Sequence, residues 1–285
     1  MMIELDGSYK EGGGQIVRTA LALSVITQKP FEVSSIRSGR PTPGLKNQHL
    51  HCIRALEKLC NASAEGAEQG SERVKFFPGK VRPQNLDIDI GTAGSITLLL
   101  QSIMLPCMLA NGKTSLRITG GTDTKWSMPI DYFSQVLLPQ LGRYAGIDFS
   151  LEKRGYYPKG GGSVRIKIDP LFDFESRKDA PGLGMTEKAG LVQLKGVSHA
   201  SSSLEKARVA ERQAESADPI LRSWGCPVDI RAEYCNTPSD GSGLSLWAVL
   251  SNDPDEIDLN NPVRLGADSL GERGKKAEAV GREAA

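Results

Sequence analysis

The sequence predicts an α/β (α+β) protein with a large, internally repeated part and a smaller α/β part after it. Three observations lead there. Strand-like, glycine-turn and helix-like segments alternate from the amino terminus to about residue 170. The order strand–helix–strand–helix–strands runs twice, each round roughly eighty to ninety residues long, with slight identity between rounds. Around residues 170–190 the stretch "DPLFDFESRKDAPGLGMTEKAG", rich in proline, glycine and mixed charge, breaks the pattern and reads as a linker.

The elements follow in order. "MIELDG" is an opening strand, and "QIVRTALALSVIT" is a mostly buried helix. "FEVSSIRSG" is extended and "PTPG" is a turn. In "LKNQHLHCIRALEKLC", Leu45, Cys52, Leu56 and Leu59 recur near a helical period, and "VKFFPGKV" reads as a short strand pair around a Pro-Gly turn. The second round opens on the alternating strand "NLDIDIG", continues with the helix "TAGSITLLLQSIMLPCMLA", and returns to a strand in "SLRITGG". "PIDYFSQVLLPQLGRYAG" is the next helix, with Pro129 at a favoured first-turn position. "IDFSLEKRGYYPKGGGSVRIKID" is two strands with Val164, Ile166 and Ile168 on one face. Beyond the linker lie the strand "GLVQLKG", the helix "EKARVAERQAESADPILRSW", the strands "VDIRAEY", "GLSLWAVLS" and "VRLGADSLG", and a helix start, "KKAEAVGREAA". That last helix lacks a cap or a long apolar stripe, so firm docking is not expected of it.

Composition narrows the function classes. The chain has 285 residues, enough for two domains, with 39% hydrophobic and 24% charged residues, as in ordinary soluble domains. A net charge of +1 excludes a partner read by bulk charge over a broad basic face, while leaving room for a local basic pocket. The apolar run at 96–110 is broken by Thr97, Gln101, Ser102 and Pro106, so no membrane partner is expected, and "MMIELDGSYK" has no signal-peptide core. Five scattered cysteines, none spaced C-x-x-C, are expected to be reduced thiols of a cytoplasmic protein without structural zinc.

"KEGGGQIVRTALAL", at residues 10–23, places three glycines directly before a helix. Glycines there let backbone N–H groups meet an anion at the positive end of the helix dipole. Arg18 adds charge, Gln15 an amide, and Glu11 a ligand for a divalent cation that bridges to phosphates. The bland reading is a tight turn with a surface arginine; no Walker lysine follows and the spacing is not GxGxxG. In "IRSGRPTPGLKNQHL", Arg37 and Arg40 precede a stiff turn and Gln48 falls early in a helix, which suits a phosphate clamp better than two solvated arginines. Gln101 sits among Leu98, Leu99, Leu100, Ile103 and Met104; it either pins its helix to a buried carbonyl or reads a base edge. "GGTDTKWSMP" offers Trp126 and Pro129 as apolar faces for a ring, whereas "GYYPKGGG" reads as a hairpin or bulge. His49 and His51 diverge on one helix, and His199 has no evident Asp or Cys partner, so all three read as core or surface residues.

These motifs, with "GTAGSITLLLQ", "GGTD…MPIDYF", "RGYYPKGGG" and "GERGKKAEAVGREAA", occur in an order that resembles the RNA 3′-terminal phosphate cyclases, over essentially the whole chain. The resemblance implies a large domain of repeated two-helix, four-stranded units at residues 1–180. It places a smaller inserted α/β domain, and the start of the return to the large one, at 181–285. It also implies an ATP-dependent ligase of RNA processing that turns an RNA 3′-phosphate into a 2′,3′-cyclic phosphate through enzyme-AMP and RNA-adenylate intermediates. ATP and RNA 3′ ends are then the partners, with Mg²⁺ or Mn²⁺ as cofactor. Residue by residue, it puts Glu11 at the metal, Gln15 and Arg18 near the ATP phosphates, and Arg37, Arg40 and Gln48 among phosphate-contacting groups. Gln101 and Pro129 fall where adenosine is read and packed. The family's nucleophilic histidine belongs to a segment beyond "VGREAA", so that role passes to none of His49, His51 or His199. The covalent step is then expected to be missing from these 285 residues. An RNA-binding or assembly scaffold is the competing expectation, and an enolpyruvyl transferase, which shares only the fold outline, is disfavoured.

Overall fold

Strand alternation and helix periodicity build the first unit. β2 (Phe31–Ser34) and β4 (Val74–Phe77) bury every second residue, Phe31, Val33, Val74 and Phe76. α1 (Gln15–Thr27) and α2 (Asn47–Cys60) supply Val17, Leu21, Ile53, Leu56 and Leu59 to the same core. Each such fully buried apolar side chain contributes roughly 1.5–3 kcal/mol. With β1 (Ile3–Asp6) and β3 (Ser63–Glu65) the strand order is β1-β2-β4-β3, the first pair parallel and the others antiparallel. In this computed structural model residues 2–182, 189–252 and 263–285 are described, so part of the predicted linker lies outside them.

The second unit repeats the arrangement. β5 (Asn85–Asp89), β6 (Thr114–Gly120), β7 (Ala145–Lys153) and β8 (Gly162–Pro170) run in the order β5-β6-β8-β7 with the same parallel-then-antiparallel pattern. α3 (Ile96–Cys107) begins at Ser95, whose hydroxyl accepts from the Leu98 N–H. The second helical segment is α4 (Ile130–Tyr132), a π-helical stretch over Phe133–Leu137, and α5 (Leu138–Leu141). Pro139 has no N–H to give the Gln135 carbonyl, which accepts 2.8 Å from Arg264 Nη1 instead. One hydrophobic cluster spans both units.

The third sheet is not a further copy. β9 (Gly190–Ser201), β10 (Val228–Cys235), β11 (Ser242–Ser251) and β12 (Val263–Leu270) run in the order β10-β9-β11-β12. The strand after helix α6 (Val209–Arg222) therefore lies outside the strand before it. Val136 and Tyr132 meet Val197, Trp247 and Val249, joining this sheet to the second unit.

Three expectations are corrected. "VKFFPGKV" yields only one strand, β4, and the three-residue β3, too short to show alternation, pairs with it instead. The last helix, α7 (Ala277–Ala284), docks firmly: Val280 and Ala284 join Ala217 and Leu221 in one cluster. Gly281 permits that approach, since a Cβ there would lie 2.1 Å from the Gln213 carbonyl oxygen. Pro129 is the N-cap of α4 and not its first residue. Among the described residues no helix is long and apolar enough to cross a membrane.

Candidate functional site

The amino-terminal ends of α1 and α2 meet at one corner. No side chain caps α1, so its dipole faces outward. Gly12 has φ +55°, and a Cβ on Gly14 would lie 1.9 Å from His49 Nε2, so internal geometry requires both glycines. Nothing internal demands Gly13, whose hypothetical Cβ comes no nearer than 3.8 Å, to Arg40 Nη2. The tight-turn reading of the glycines therefore accounts for two of the three.

Arg40 pairs with Glu11 at 3.5 Å, and Glu11 is 91% exposed at the rim. Arg37, at φ +56°, donates from Nη1 to the carbonyls of Thr42 (2.8 Å) and Gly44 (3.1 Å), stapling the Pro-Thr-Pro-Gly turn. Arg37 is thus partly committed to its own loop, and Arg40 is the freer fork of the pair. Gln48, in the first turn of α2, holds a buried Nε2 that makes no hydrogen bond.

His49 is buried among these cations. Its Nδ1 accepts from the Lys46 N–H at 3.0 Å, which leaves the proton on Nε2. Burial first, then Arg18, Arg37 and Lys46, push its pKa down to about 4. The sign for stability follows: a folded pKa below the unfolded value means stability is lost as pH falls from about 6.5 towards 4. For His49 that loss approaches about 3 kcal/mol. His49→Gln is expected to flatten the stability–pH curve over that window in denaturant titrations; an unchanged slope would refute the assignment.

Arg18 connects this corner to the main cavity. It stands near Cys52, whose thiol is pushed up to about 11, chiefly by burial. Burial holds the Arg18 pKa below the usual arginine value, with no carboxylate among the causes, and its Nε makes no hydrogen bond. Gln15, Arg18, Leu98 and Gln101 line a cavity of about 1100 Å³ with the loop residues Lys125 to Met128. The other wall comes from β12 through Asp268, from the segment after it through Glu272 and Lys275, and from α7 through Glu283. Lys125 pairs with Glu272 at 2.9 Å across it. Gln101 is exposed to this space and not buried, so the alternative of a helix-pinning amide is corrected: Leu99, Leu100, Ile103 and Met104 are buried on other sides of the helix, and of its apolar neighbours Leu98 shares the cavity. Pro129 does not join the cavity; it is buried one residue past Met128. A smaller cavity of about 260 Å³, lined by Val25, Gln28, Pro106 and Phe174, contains none of the predicted residues.

A second polar cluster escaped sequence reasoning. Arg154, at the end of β7, is almost fully buried and meets Asp123 (3.2 Å), Asp131 (2.7 Å) and Glu233 (2.7 Å). His199 does have a partner, correcting the expectation: its Nδ1 is 2.7 Å from the Tyr156 hydroxyl and its Nε2 is 3.6 Å from Asp123 Oδ1. Asp123, Asp131 and His199 converge as a metal cluster would, but the Arg154 guanidinium already faces both carboxylates. His199 and His49 are both shut off from the cavity, and His51 lies half-buried on α2.

Comparison with known proteins extends these observations. Residues 9–229 match the model of the family described as RNA 3′-terminal phosphate cyclase, and 186–285 match that of its insert domain. The RNA 3′-terminal phosphate cyclase of Pyrococcus furiosus is 45% identical over 286 residues, covering 100% of this chain and 78% of that protein. Those of Methanopyrus kandleri and Archaeoglobus fulgidus are each 44% identical over 292 residues, covering all of this chain and 78% and 79% of theirs. On sequence and on insert-domain content together, this chain belongs to the RNA 3′-terminal phosphate cyclase family.

Proposed function

We propose that the protein uses ATP to convert an RNA 3′-phosphate into a 2′,3′-cyclic phosphate. In this reading AMP leaves ATP, with loss of pyrophosphate, for a nucleophile of the enzyme that is none of the described histidines, and then passes to the RNA 3′-phosphate. The neighbouring 2′-hydroxyl attacks that activated phosphorus and AMP departs. The observation that carries the reading is that Gln15, Arg18 and Gln101, from two helices of different units, face one cavity beside the Arg37–Arg40 corner. Nucleotidyl transfer depends chiefly on anion stabilisation by guanidinium and backbone N–H groups, which this corner offers. We assign Arg18 to the ATP phosphates, Gln15 and Gln101 to nucleotide positioning, and Arg40, with Arg37 and Gln48 behind it, to the RNA phosphate. Pro129 supports the adenosine side from beneath the loop.

Glu11 supplies one exposed carboxylate, and Mg²⁺ is commonly held by one or two carboxylates plus substrate phosphates. The residue fits a Mg²⁺ or Mn²⁺ ion that arrives with the triphosphate and neutralises its charge. The nucleophile is assigned to none of the three histidines, because His49 and His199 are enclosed by protein and His51 is outside the cavity lining. We take 1–180 as the large domain and 181–285 as the insert with the start of the return. A cytoplasmic setting suits the five free cysteines.

The test compares a 3′-phosphorylated oligoribonucleotide with its 3′-hydroxyl twin, each titrated with ATP present. Arg40→Ala is expected to weaken binding of the phosphorylated strand about tenfold or more and of its twin little. Equal losses would remove Arg40 from the phosphate site. Tight binding of both strands without ATP consumption would favour an RNA-binding scaffold.

A further inference from the structure

The loop that lines the cavity has two ends, and one side chain holds both. Asp123 precedes the loop and Asp131 follows it, while Lys125, Trp126, Ser127 and Met128 between them face the cavity. Arg154 Nη1 meets Asp123 Oδ2 at 3.2 Å and Nη2 meets Asp131 Oδ2 at 2.7 Å. The same guanidinium donates from Nε and Nη2 to Glu233 Oε1, at 2.8 and 2.7 Å, on β10 of the third sheet. Arg231 pairs with the other Glu233 oxygen at 3.0 Å. Within the loop Ser127 Oγ donates to the Thr124 carbonyl at 2.7 Å, and from α3 Thr97 Oγ1 donates to the Met128 carbonyl at 2.7 Å. Its tip is strained: Trp126 has φ +64° and is 93% exposed.

We propose that Arg154 is a positioning residue that couples the insert sheet to the nucleotide cavity, fixing the 124–130 loop through Asp123 and Asp131 and being fixed itself by Glu233. Arg154 does not line the cavity and touches no substrate. A planar guanidinium can face these three carboxylates in few arrangements, so a loop held by it in a dry interior has few alternatives. A bulky residue kept in the left-handed region at the loop tip needs such surroundings to persist. The Lys125–Glu272 pair adds a second tie between this loop and the segment after β12. The insert thereby sets how well the cavity accepts nucleotide without contributing to the chemistry. This inference rests on the assignment of the cavity to ATP.

The experiment uses the full chain and two variants. Glu233→Gln keeps the shape of the partner but removes its charge, and Glu233 is partly exposed, so folding is retained. Arg154→Lys keeps the charge but loses the fork. Amide hydrogen exchange is followed for residues 124–130 and for α1 and α3, and radiolabelled ATP is titrated by equilibrium dialysis. Loop exchange is expected to quicken about tenfold with the two helices unchanged, and the Kd for ATP to rise about fivefold, more in Arg154→Lys. Unchanged loop exchange in both variants overturns the proposal, as does an equal acceleration throughout the chain. If the unaltered protein binds no ATP, the nucleotide assignment fails and the exchange comparison alone decides the coupling.

Discussion

Arg18→Leu is expected to make the protein more stable while abolishing nucleotide binding. Arg18 is partly buried against Cys52, and no described carboxylate pairs with it. A desolvated guanidinium without a counter-charge is a stability cost the fold carries, and an apolar side chain of similar length removes it. The gain is about 1–3 kcal/mol, by analogy with the replacement of buried charges by hydrophobic residues. Binding moves the other way. Removing the one cation among the described cavity-lining residues that has no carboxylate partner, beside the uncapped end of α1, is expected to weaken ATP at least about a hundredfold. Thermal unfolding and ATP titration on the same preparation test both halves. A lowered Tm, or retained affinity, would show that Arg18 serves the fold and not the ligand.

Much of this site was legible because its residues lie in short, local motifs. The glycine-to-helix junction, the stiff turn after Arg40 and the early position of Gln48 on α2 are local events, and the helices form at α1 and α2 as their periodicity requires. Gln101 was harder. Its flanking leucines resemble a buried environment, yet Leu99 and Leu100 are fully buried while Gln101 and Leu105 face outward. Continuous apolarity in α3 hid which side the neighbouring units leave open. Pro129 carried a ring-packing expectation that depended on loop geometry, and the loop turns it inward. Least legible was the cluster around Arg154. Glu233 is 79 residues away in sequence and belongs to a different sheet. Neither partner carries a local signal, because a buried ion pair is defined by which strands meet and not by what surrounds each residue along the chain.

That same cluster gives the second large effect. Arg154→Met is expected to destabilise the protein by about 3–5 kcal/mol at pH 8, because it leaves buried carboxylates without a cation. The deficit must then depend on pH. In the unaltered protein burial already pushes Asp131 up to about 6, against the pull of Arg154. Burial, and then Arg154, push His199 down to about 4. Taking the guanidinium away raises all of these values, so the folded variant binds protons that its unfolded chain, with carboxylates near 3.9, does not. A group whose folded pKa is raised adds stability as pH falls towards the unfolded value. The Arg154→Met deficit should therefore shrink by about half or more between pH 8 and pH 5. The unaltered protein moves oppositely at His49 and His199, losing stability below about pH 6.5 as their buried rings resist protonation. Denaturant midpoints of both proteins at pH 8, 6.5 and 5 separate these slopes. A deficit that stays constant across the series would mean that Arg154 contributes packing alone, and that the carboxylates it touches are relieved by other groups.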